Sequence, residues 1–383
     1  MGSLRRTPET PPMTILTAAR DLAPTIAARA ADTESRRRLP ADLAAQIAAA
    51  GLFRMAVPRD LGGAEAPPAD ILAALEILGR ADAATGWCTM IAGTTALAAA
   101  WLPGHHARTI FADPAAITGG VFAPMGSAVP DRDDYLVSGR WAWASGSANC
   151  QWLVGGAMVA GTTTHRMMFM PASEITLVDT WDTLGMRGTG SGDMVADKVR
   201  VPRDRSVSFI TDTPRHPGAL YKFPPFGLLA LGIAAVASGN ALAALDDFRS
   251  LATTKKAGGS SRSLAERGTV QADYARAEAS LHAARALAET TVSKAWHEVQ
   301  TAALTLDTRA RLRLAATHLT RTAADVTRTA YDLAGGTAVY ASHPLQRRLR
   351  DAHVATQHMM IAPPTYELAG RVLLGLPTDA ALL

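Results

Sequence analysis

The chain has 383 residues, of which 48% are hydrophobic and 19% charged, and its formal net charge is +4. This composition excludes a disordered chain, which would carry fewer apolar and more charged residues, and the length allows a sizeable core with two or three sub-domains. The basic residues are scattered along the sequence, so a nucleic-acid surface is not expected.

Cysteine usage and apolar stretches narrow the class further. Cys88 and Cys150 are far apart in apolar contexts, so we expect two buried free thiols, no disulfide framework and no metal site. Residues 226–245 form the longest apolar stretch, but glycine, serine and asparagine interrupt it, which favours a buried helix over a membrane span. Residues 1–12 lack the apolar core of a secretion signal. We therefore expect a cytoplasmic protein with no membrane partner.

Residues 14–114 have a helical pattern. Leu43 and Ile47 recur at helical spacing. Pro40 suits the start of a helix, and Gly51 suits its end. The first part of the chain is therefore predicted to be a helical domain.

Residues 115–215 have a different character, rich in glycine, threonine and alternating apolar residues. Residues 135–138 and 152–154 are examples of the short strands expected here. Residues 216–383 return to long alanine-rich helices, for which we predict the ranges 235–251, 271–299 and 306–333. The fold class predicted from this order is α+β, with helices at both ends and a sheet between them.

A set of motifs is spread over nearly the whole chain, at residues 52–58, 61–63, 137–147, 184–191, 201–202, 334–336 and 350–351. Together they resemble the motifs of the acyl-CoA dehydrogenase superfamily, and more closely those of its flavin-dependent monooxygenase branch. That branch includes two-component hydroxylases of phenols, indoles and sulfur heterocycles. No single motif is strong, but their order and spacing together make the resemblance specific.

The resemblance implies an acyl-CoA dehydrogenase-like fold in three parts. These are an N-terminal helical domain (14–114), a β-barrel-like middle domain (115–215) and a C-terminal four-helix bundle (216–383). It also implies a homotetramer, with the flavin between the β-domain and the bundle and its tail completed by a neighbouring subunit.

Trp143 and Ser145 are the first candidate pair. If they lie in a strand, residues two apart face the same side, and the indole and the hydroxyl would address one ligand. By resemblance, Trp143 packs on the flavin ring, and Ser145 reaches its N5 edge and takes part in the reaction of reduced flavin with oxygen. The alternative is a core tryptophan and a turn serine.

His358 and Met359 form the second candidate. In many dehydrogenases of this superfamily a glutamate base stands at the position of Met359, and a thioether takes no proton from carbon. Residues 352–364 contain no acid, and neither does the earlier stretch 226–245, where other members carry their base. By resemblance, His358 points at the flavin C4a–N5 region. It would donate a hydrogen bond there or act as a base toward the substrate; a purely structural role is the alternative.

The resemblance also implies cofactor contacts. Phe122, Gly126 and Ser127 resemble the flavin-contacting loop of the β-domain, and Gly335 with Gly336 resembles the glycine pair that meets the flavin tail. Departures at Asp332 and at residues 260–263 favour a reduced flavin that diffuses in from a separate reductase, although a drifted but tight FAD site stays open. No GxGxxG loop is present, so an NAD(P)H site in this chain is not expected.

For the substrate wall we select Trp87, Met90 and Thr94, although such positions are more often plain core. The chain is thus expected to be a flavin-dependent monooxygenase that uses O₂ and reduced FAD (FMN is possible), supplied by an NAD(P)H-dependent reductase. It would hydroxylate a small phenol- or indole-like substrate through a C4a-hydroperoxyflavin. The alternatives are an acyl-CoA dehydrogenase or other CoA-thioester flavoenzyme, an amine or sulfur oxygenase, and a non-catalytic flavin-binding protein.

Overall fold

The computed structural model describes residues 14–256 and 261–383. The N-terminal stretch 1–12 and Ser260, considered above, lie outside the described residues. The first part of the chain is helical, as predicted: α1 (Ile15–Arg36), α2 (Ala41–Ala49), α3 (Pro68–Ala81), α4 (Ala83–Ala96) and α5 (Gly104–Phe111).

Helix α4 is central to the fold. Its N-terminus is capped by Asp82, whose carboxylate accepts the backbone N–H of Thr85 at 2.9 Å. The helix packs against α3, against the first strand of the sheet and against the first helix of the C-terminal part. Because neighbours surround it, most of its residues are buried, and it carries Trp87 into the middle of the molecule.

A seven-stranded sheet follows in the order β5-β6-β2-β1-β3-β4-β7. The strands β1 and β3 pair in parallel, and the other neighbours are antiparallel. The β1–β3 register shifts between Val121 and Gly126, which opens the sheet locally. The strands are β1 (Thr118–Asp131), β2 (Asp134–Trp141), β3 (Trp152–Val159), β4 (His165–Pro171), β5 (Thr176–Val178), β6 (Asp193–Pro202) and β7 (Ser206–Val207).

The chain then returns to helices. Helix α6 is long and apolar enough to cross a membrane, but 89% of its most apolar window is buried inside the fold, so the buried-helix prediction for residues 226–245 is confirmed. The predicted long helices all lie within observed ones, and the α+β fold class is confirmed. The helices are α6 (Pro225–Thr254), α7 (Gly268–Val299), α8 (Leu306–Ala334), α9 (Pro344–Ala355) and α10 (Pro364–Leu373).

Trp141 is the centre of the sheet's packing. It is fully buried, and its indole N–H donates to the carbonyl of Gly156 at 2.7 Å. Three glycines, Gly126, Gly139 and Gly155, lie so close to the ring that a Cβ on any of them would approach it to 2.3–2.7 Å. The glycines of this region therefore make room for one large side chain.

We expect Gly155→Ala to lower the free energy of unfolding by about 1–3 kcal/mol, because the new methyl group would force the buried indole to shift. Urea unfolding of the variant measures the loss. Gly370→Ala is the control, since a Cβ at Gly370 in α10 meets no atom within 4 Å and alanine favours helix. Equal stability of the two variants would contradict this packing.

Candidate active site

A cavity of about 370 Å³ lies between α4, the sheet and the C-terminal helices. Its volume is in the range of small-molecule sites. Its walls are mainly apolar, as shown by Ile91, Val121, Phe122, Phe226, Leu229 and Met360. It is therefore a water-poor space large enough for organic ligands.

The charges around the cavity are few. Among the described residues that line it, none is an aspartate or a glutamate, and His358 is the only titratable side chain. A carboxylate that would remove a proton from carbon is thus absent from this described wall, in agreement with the sequence. Any proton chemistry at the wall has to involve His358 or the neutral hydroxyls.

The turn that follows β2 carries Trp143 and Ser145 to the cavity. β2 ends at Trp141, so the strand-alternation argument for this pair was wrong. Instead Trp143 has a left-handed backbone (φ 67°), rare for a bulky residue. Backbone hydrogen bonds to the opposite loop, from Ala144 to Gly192 (3.0 Å) and from Gly146 to Thr189 (2.9 Å), hold the turn. Both side chains line the cavity, with the indole of Trp143 61% exposed and Ser145 buried.

The Ser145 hydroxyl lies in a chain of buried polar groups. It accepts the indole N–H of Trp87 at 3.2 Å and lies 2.6 Å from the Ser191 hydroxyl. Ser191 in turn lies 2.6 Å from the hydroxyl of Thr189. Thr189 and Ser191 also line the cavity. Neither residue was predicted individually, since their segment stands out in the sequence only as a family motif. The signal that could have marked them is a pair of hydroxyls two residues apart in a glycine-rich loop.

The loop with Thr189 and Ser191 is docked on α9. The carboxylate of Asp351 accepts the backbone N–H of Met186 at 2.5 Å, and the Arg350 guanidinium donates to the carbonyl of Leu184 at 2.8 Å. Burial raises the pKa of Asp351 to about 7. The motif at residues 350–351 and the glycine-rich motif at residues 184–191 are far apart in sequence, but in the fold they are in direct contact.

His358 faces the cavity from a short turn. Helix α9 ends at Ala355, and His358 lies beyond it, where it caps the 3₁₀ turn Met359–Ile361. Its Nδ1 accepts the backbone N–H of Met360 at 3.2 Å, and its ring lies edge-on to Trp87 with 5.7 Å between the ring centroids. Trp87 thus contacts both His358 and Ser145.

The protonation of His358 follows from these surroundings. Burial, and then the positive charge of Arg313, lower the pKa of His358 to about 4. At neutral pH the ring is therefore uncharged. Because Nδ1 accepts a hydrogen bond, the single ring proton lies on Nε2. His358 is thus a hydrogen-bond donor and a weak base.

Arg313 holds the wall behind His358. It donates to the carbonyl of Met360 at 2.8 Å and to the carbonyl of Leu382, and burial lowers its pKa to about 10. Leu382 is brought to the cavity in this way. No sequence pattern indicates that Leu382 lines the cavity, because its position is set by a long-range hydrogen bond from Arg313 of α8.

The predicted substrate residues divide into two groups. Trp87 and Thr94 line the cavity together with Ile91, on one face of α4. Met90 lies at the edge of that face and does not line the cavity; it is fully buried against Gly232 of α6. The spacing on a helix that is buried all round does not reveal which side borders an open space.

The predicted cofactor residues are also divided. Phe122 lines the cavity beside Trp143 and Ser145. Gly126 packs against the Trp141 indole, and Ser127 is exposed on β1, so both lie outside the cavity. Gly335 and Gly336 end α8 on an exposed surface, where Gly335 has a φ of 57°. Contacts with an extended cofactor at these outer positions stay a prediction.

A possible metal-ligand group lies on the surface, away from the cavity lining. His105, His106 and Asp204 bring their ligand atoms within 4.8 Å of one another. His106 Nε2 lies 2.7 Å from Asp204 Oδ1, which is a hydrogen-bond distance. A His–Asp hydrogen bond between α5 and the residues after β6 explains the contact.

Comparisons with known proteins identify the family of this chain. Two acyl-CoA dehydrogenase family models match, the N-terminal domain over residues 13–106 and the C-terminal domain over residues 231–363. The indole-3-acetate monooxygenase of Pseudomonas putida is 32% identical over 361 residues, which cover 91% of this chain and 90% of that protein. The oxygenase component of an FADH2-dependent resorcinol hydroxylase from a Rhizobium species is 29% identical and covers 91% and 90%.

Solved structures give the same result. The crystal structure of the HsaA monooxygenase from M. tuberculosis has a TM-score of 0.90 and 27% identity and covers 96% of this chain and 99% of that one. The chain belongs to the acyl-CoA dehydrogenase superfamily. Within that superfamily it falls in the flavin-dependent monooxygenase branch.

The neutral state of the half-buried His358 has a consequence for stability. Its pKa is about 4 in the folded protein and about 6.5 when unfolded, so between these values the unfolded chain binds the extra proton. The stability that comes from folding with a neutral His358 is therefore fully present above pH 6.5, and it is lost as the pH falls toward 4. We expect His358→Gln to lose less stability between pH 7.5 and 4.5 than the wild type, by on the order of 1–3 kcal/mol.

Urea midpoints at the two pH values measure this difference. His353→Gln, which removes an exposed histidine of α9, is the matched control. The raised pKa of Asp351 acts in the opposite direction, but it is common to all three proteins. Parallel pH dependence of the wild type and His358→Gln would show that His358 is not held neutral by burial.

Proposed function

We propose that this protein is the oxygenase component of a two-component flavin-dependent monooxygenase that hydroxylates a small aromatic or heteroaromatic compound. The observation that carries the proposal is the cavity wall: a neutral histidine and a serine face an apolar space in which the described residues include no carboxylate. A dehydrogenase acting on thioesters needs a base strong enough to remove a proton from carbon. An oxygenase needs hydrogen-bond donors and exclusion of water.

The residues present fit a flavin ring. Trp143 offers a broad aromatic face on the rim of the cavity, and Ser145 and His358 offer polar atoms on its wall. A bound reduced flavin would supply the electrons that activate dioxygen. We propose FAD as this flavin, with FMN as a possible substitute, and Phe122 as a further contact. Gly126 and Ser127 would be flavin contacts from the β-domain, and Gly335 and Gly336 would meet the tail of an FAD.

Ser145 and His358 would be the catalytic residues. His358 would donate a hydrogen bond from Nε2–H to oxygen atoms in the cavity. Its lowered pKa keeps the ring neutral, and Nδ1 already accepts the backbone N–H of Met360. Ser145 would hold the ring edge beside it. The apolar walls would keep water away from the reactive oxygen, so that it reaches the substrate before it is lost as peroxide.

The cavity also suggests the substrate class. Trp87 and Thr94 lie on the wall formed by α4, and Phe226 and Leu229 of α6 also line the space. Such a mainly apolar lining with few polar groups suits a flat, electron-rich ring of phenol or indole type. Relatives named for indole-3-acetate and resorcinol support this class.

Partners and location follow from the same proposal. A separate NAD(P)H-dependent reductase would supply the reduced flavin, and the protein would act in the cytoplasm. We also propose a homotetramer. Val339 and Tyr340, beside the glycine pair at the end of α8, are 66% and 70% exposed, and apolar side chains of this size at one surface favour burial by another subunit.

The experiment supplies reduced FAD and oxygen to the protein with indole or a phenol, and measures hydroxylated product and peroxide. We expect substrate-dependent product. In His358→Ala we expect the ratio of peroxide to product to rise at least about fivefold, because a hydrogen-bond donor on the cavity wall is lost. His353→Ala is the matched control and should keep the wild-type ratio.

Two outcomes would count against the proposal. Unchanged coupling in His358→Ala would remove this residue from the chemistry. Reduction of a tightly bound FAD by an acyl-CoA, with no product from any aromatic compound, would favour a dehydrogenase.

A further inference from the structure

Three hydroxyls and their two end groups form one continuous hydrogen-bonded chain along the cavity wall. The sequence of contacts runs from the Trp87 indole N–H (3.2 Å) to Ser145, then to Ser191 (2.6 Å) and Thr189 (2.6 Å), and ends at the carbonyl of Met186 (2.7 Å). Ser145, Ser191 and Thr189 are 6%, 3% and 1% exposed. Because the groups are buried, water does not compete for these bonds.

The two end groups fix the direction of every proton in the chain. A carbonyl oxygen only accepts and an indole N–H only donates. Thr189 therefore uses its proton on the carbonyl of Met186, Ser191 must donate to Thr189, and Ser145 must donate to Ser191. The Ser145 oxygen already accepts from Trp87, so what it can still offer to the cavity is a lone pair.

The neighbouring polar group has the opposite character. His358 carries its proton on Nε2, because Nδ1 accepts from the backbone N–H of Met360. Its ring also contacts the same Trp87 indole, edge-on, with 5.7 Å between the ring centroids. The wall around Trp87 thus presents an acceptor from Ser145 and a donor from His358. It complements a ligand edge that has a donor next to an acceptor.

We propose that Ser191 and Thr189 are positioning residues that hold Ser145 as a hydrogen-bond acceptor, so that the site selects reduced over oxidised flavin. This inference rests on the proposed function. The edge of reduced flavin has an N–H at N5 beside the C4 carbonyl, whereas oxidised flavin has a bare acceptor nitrogen at N5. With the hydroxyl chain intact, oxidised flavin would bring two lone pairs together at Ser145.

The test is equilibrium binding of FAD by the full chain, with oxidised FAD followed by fluorescence and reduced FAD titrated without oxygen. The readout is the ratio of the two dissociation constants, oxidised over reduced, which needs no turnover. In Ser191→Ala the proton of Ser145 is free to turn to the cavity and donate to oxidised N5. We expect the ratio to fall about fivefold or more, since a buried acceptor is replaced by a donor.

Further variants should rank in their ratios of dissociation constants in an order that a purely structural role of the hydroxyls would not produce. Ser145→Ala loses the acceptor without gaining a donor, so its ratio should lie between those of the wild type and Ser191→Ala. Thr189→Val, which frees Ser191 to donate to Ser145, should shift the ratio in the same direction as Ser191→Ala. Thr89→Val is the control: it removes a buried α4 hydroxyl whose partner among the described residues lies within its own helix, the carbonyl of Thr85 at 2.9 Å.

The possible results separate the two proposals. If Ser191→Ala and Thr189→Val weaken both flavin forms equally, the ratio stays at the wild-type value and the positioning role is overturned, while the proposed function stands. If the wild type binds neither form, the proposed function fails and this inference fails with it. A ratio that falls in both variants and not in Thr89→Val supports the inference.

Discussion

The site depends on how the loop before β6 is held against α9. Asp351 accepts the backbone N–H of Met186, and Arg350 holds the carbonyl of Leu184. These hydrogen bonds connect the loop before β6 to the C-terminal helices, and the cavity lies beside them. They also set the places of Thr189 and Ser191, and through them the orientation of Ser145. A carboxylate and a guanidinium that do not line the cavity thus determine what the cavity wall presents.

The few polar groups on the cavity wall interact strongly because their surroundings are of low polarity. In water a histidine near neutral pH exchanges protons freely, but at this wall burial and Arg313 keep His358 neutral. A hydrogen bond in such surroundings is stronger than in solvent, and an unpaired group is more costly. The same fold houses carboxylate bases in dehydrogenases. Here the described wall presents neutral donors and acceptors, which suits holding oxygen and reduced flavin better than removing protons from carbon.

Much of the fold was predictable because its signals are periodic. Alternating apolar residues marked β2 and β3, and alanine-rich runs marked α6, α7 and α8. The site was predictable only in part. Trp143 and Ser145, which the sequence pairs, both line the cavity, but a strained turn rather than a strand brings them there. Thr189, Ser191 and Leu382 were missed because long-range contacts place them, and no local pattern encodes such contacts. Met90 was placed on the substrate wall, yet it packs on Gly232, since periodicity does not distinguish core from cavity.

The most direct measurement is the origin of the oxygen in the product. The protein would be supplied with reduced FAD and an indole or phenol substrate under ¹⁸O₂ in ordinary water, and the product analysed by mass spectrometry. A monooxygenase places a single labelled oxygen atom in each hydroxylated product molecule. A product that takes its oxygen from water, or an oxidised product with no added oxygen, would contradict the assignment of oxygen chemistry to this cavity.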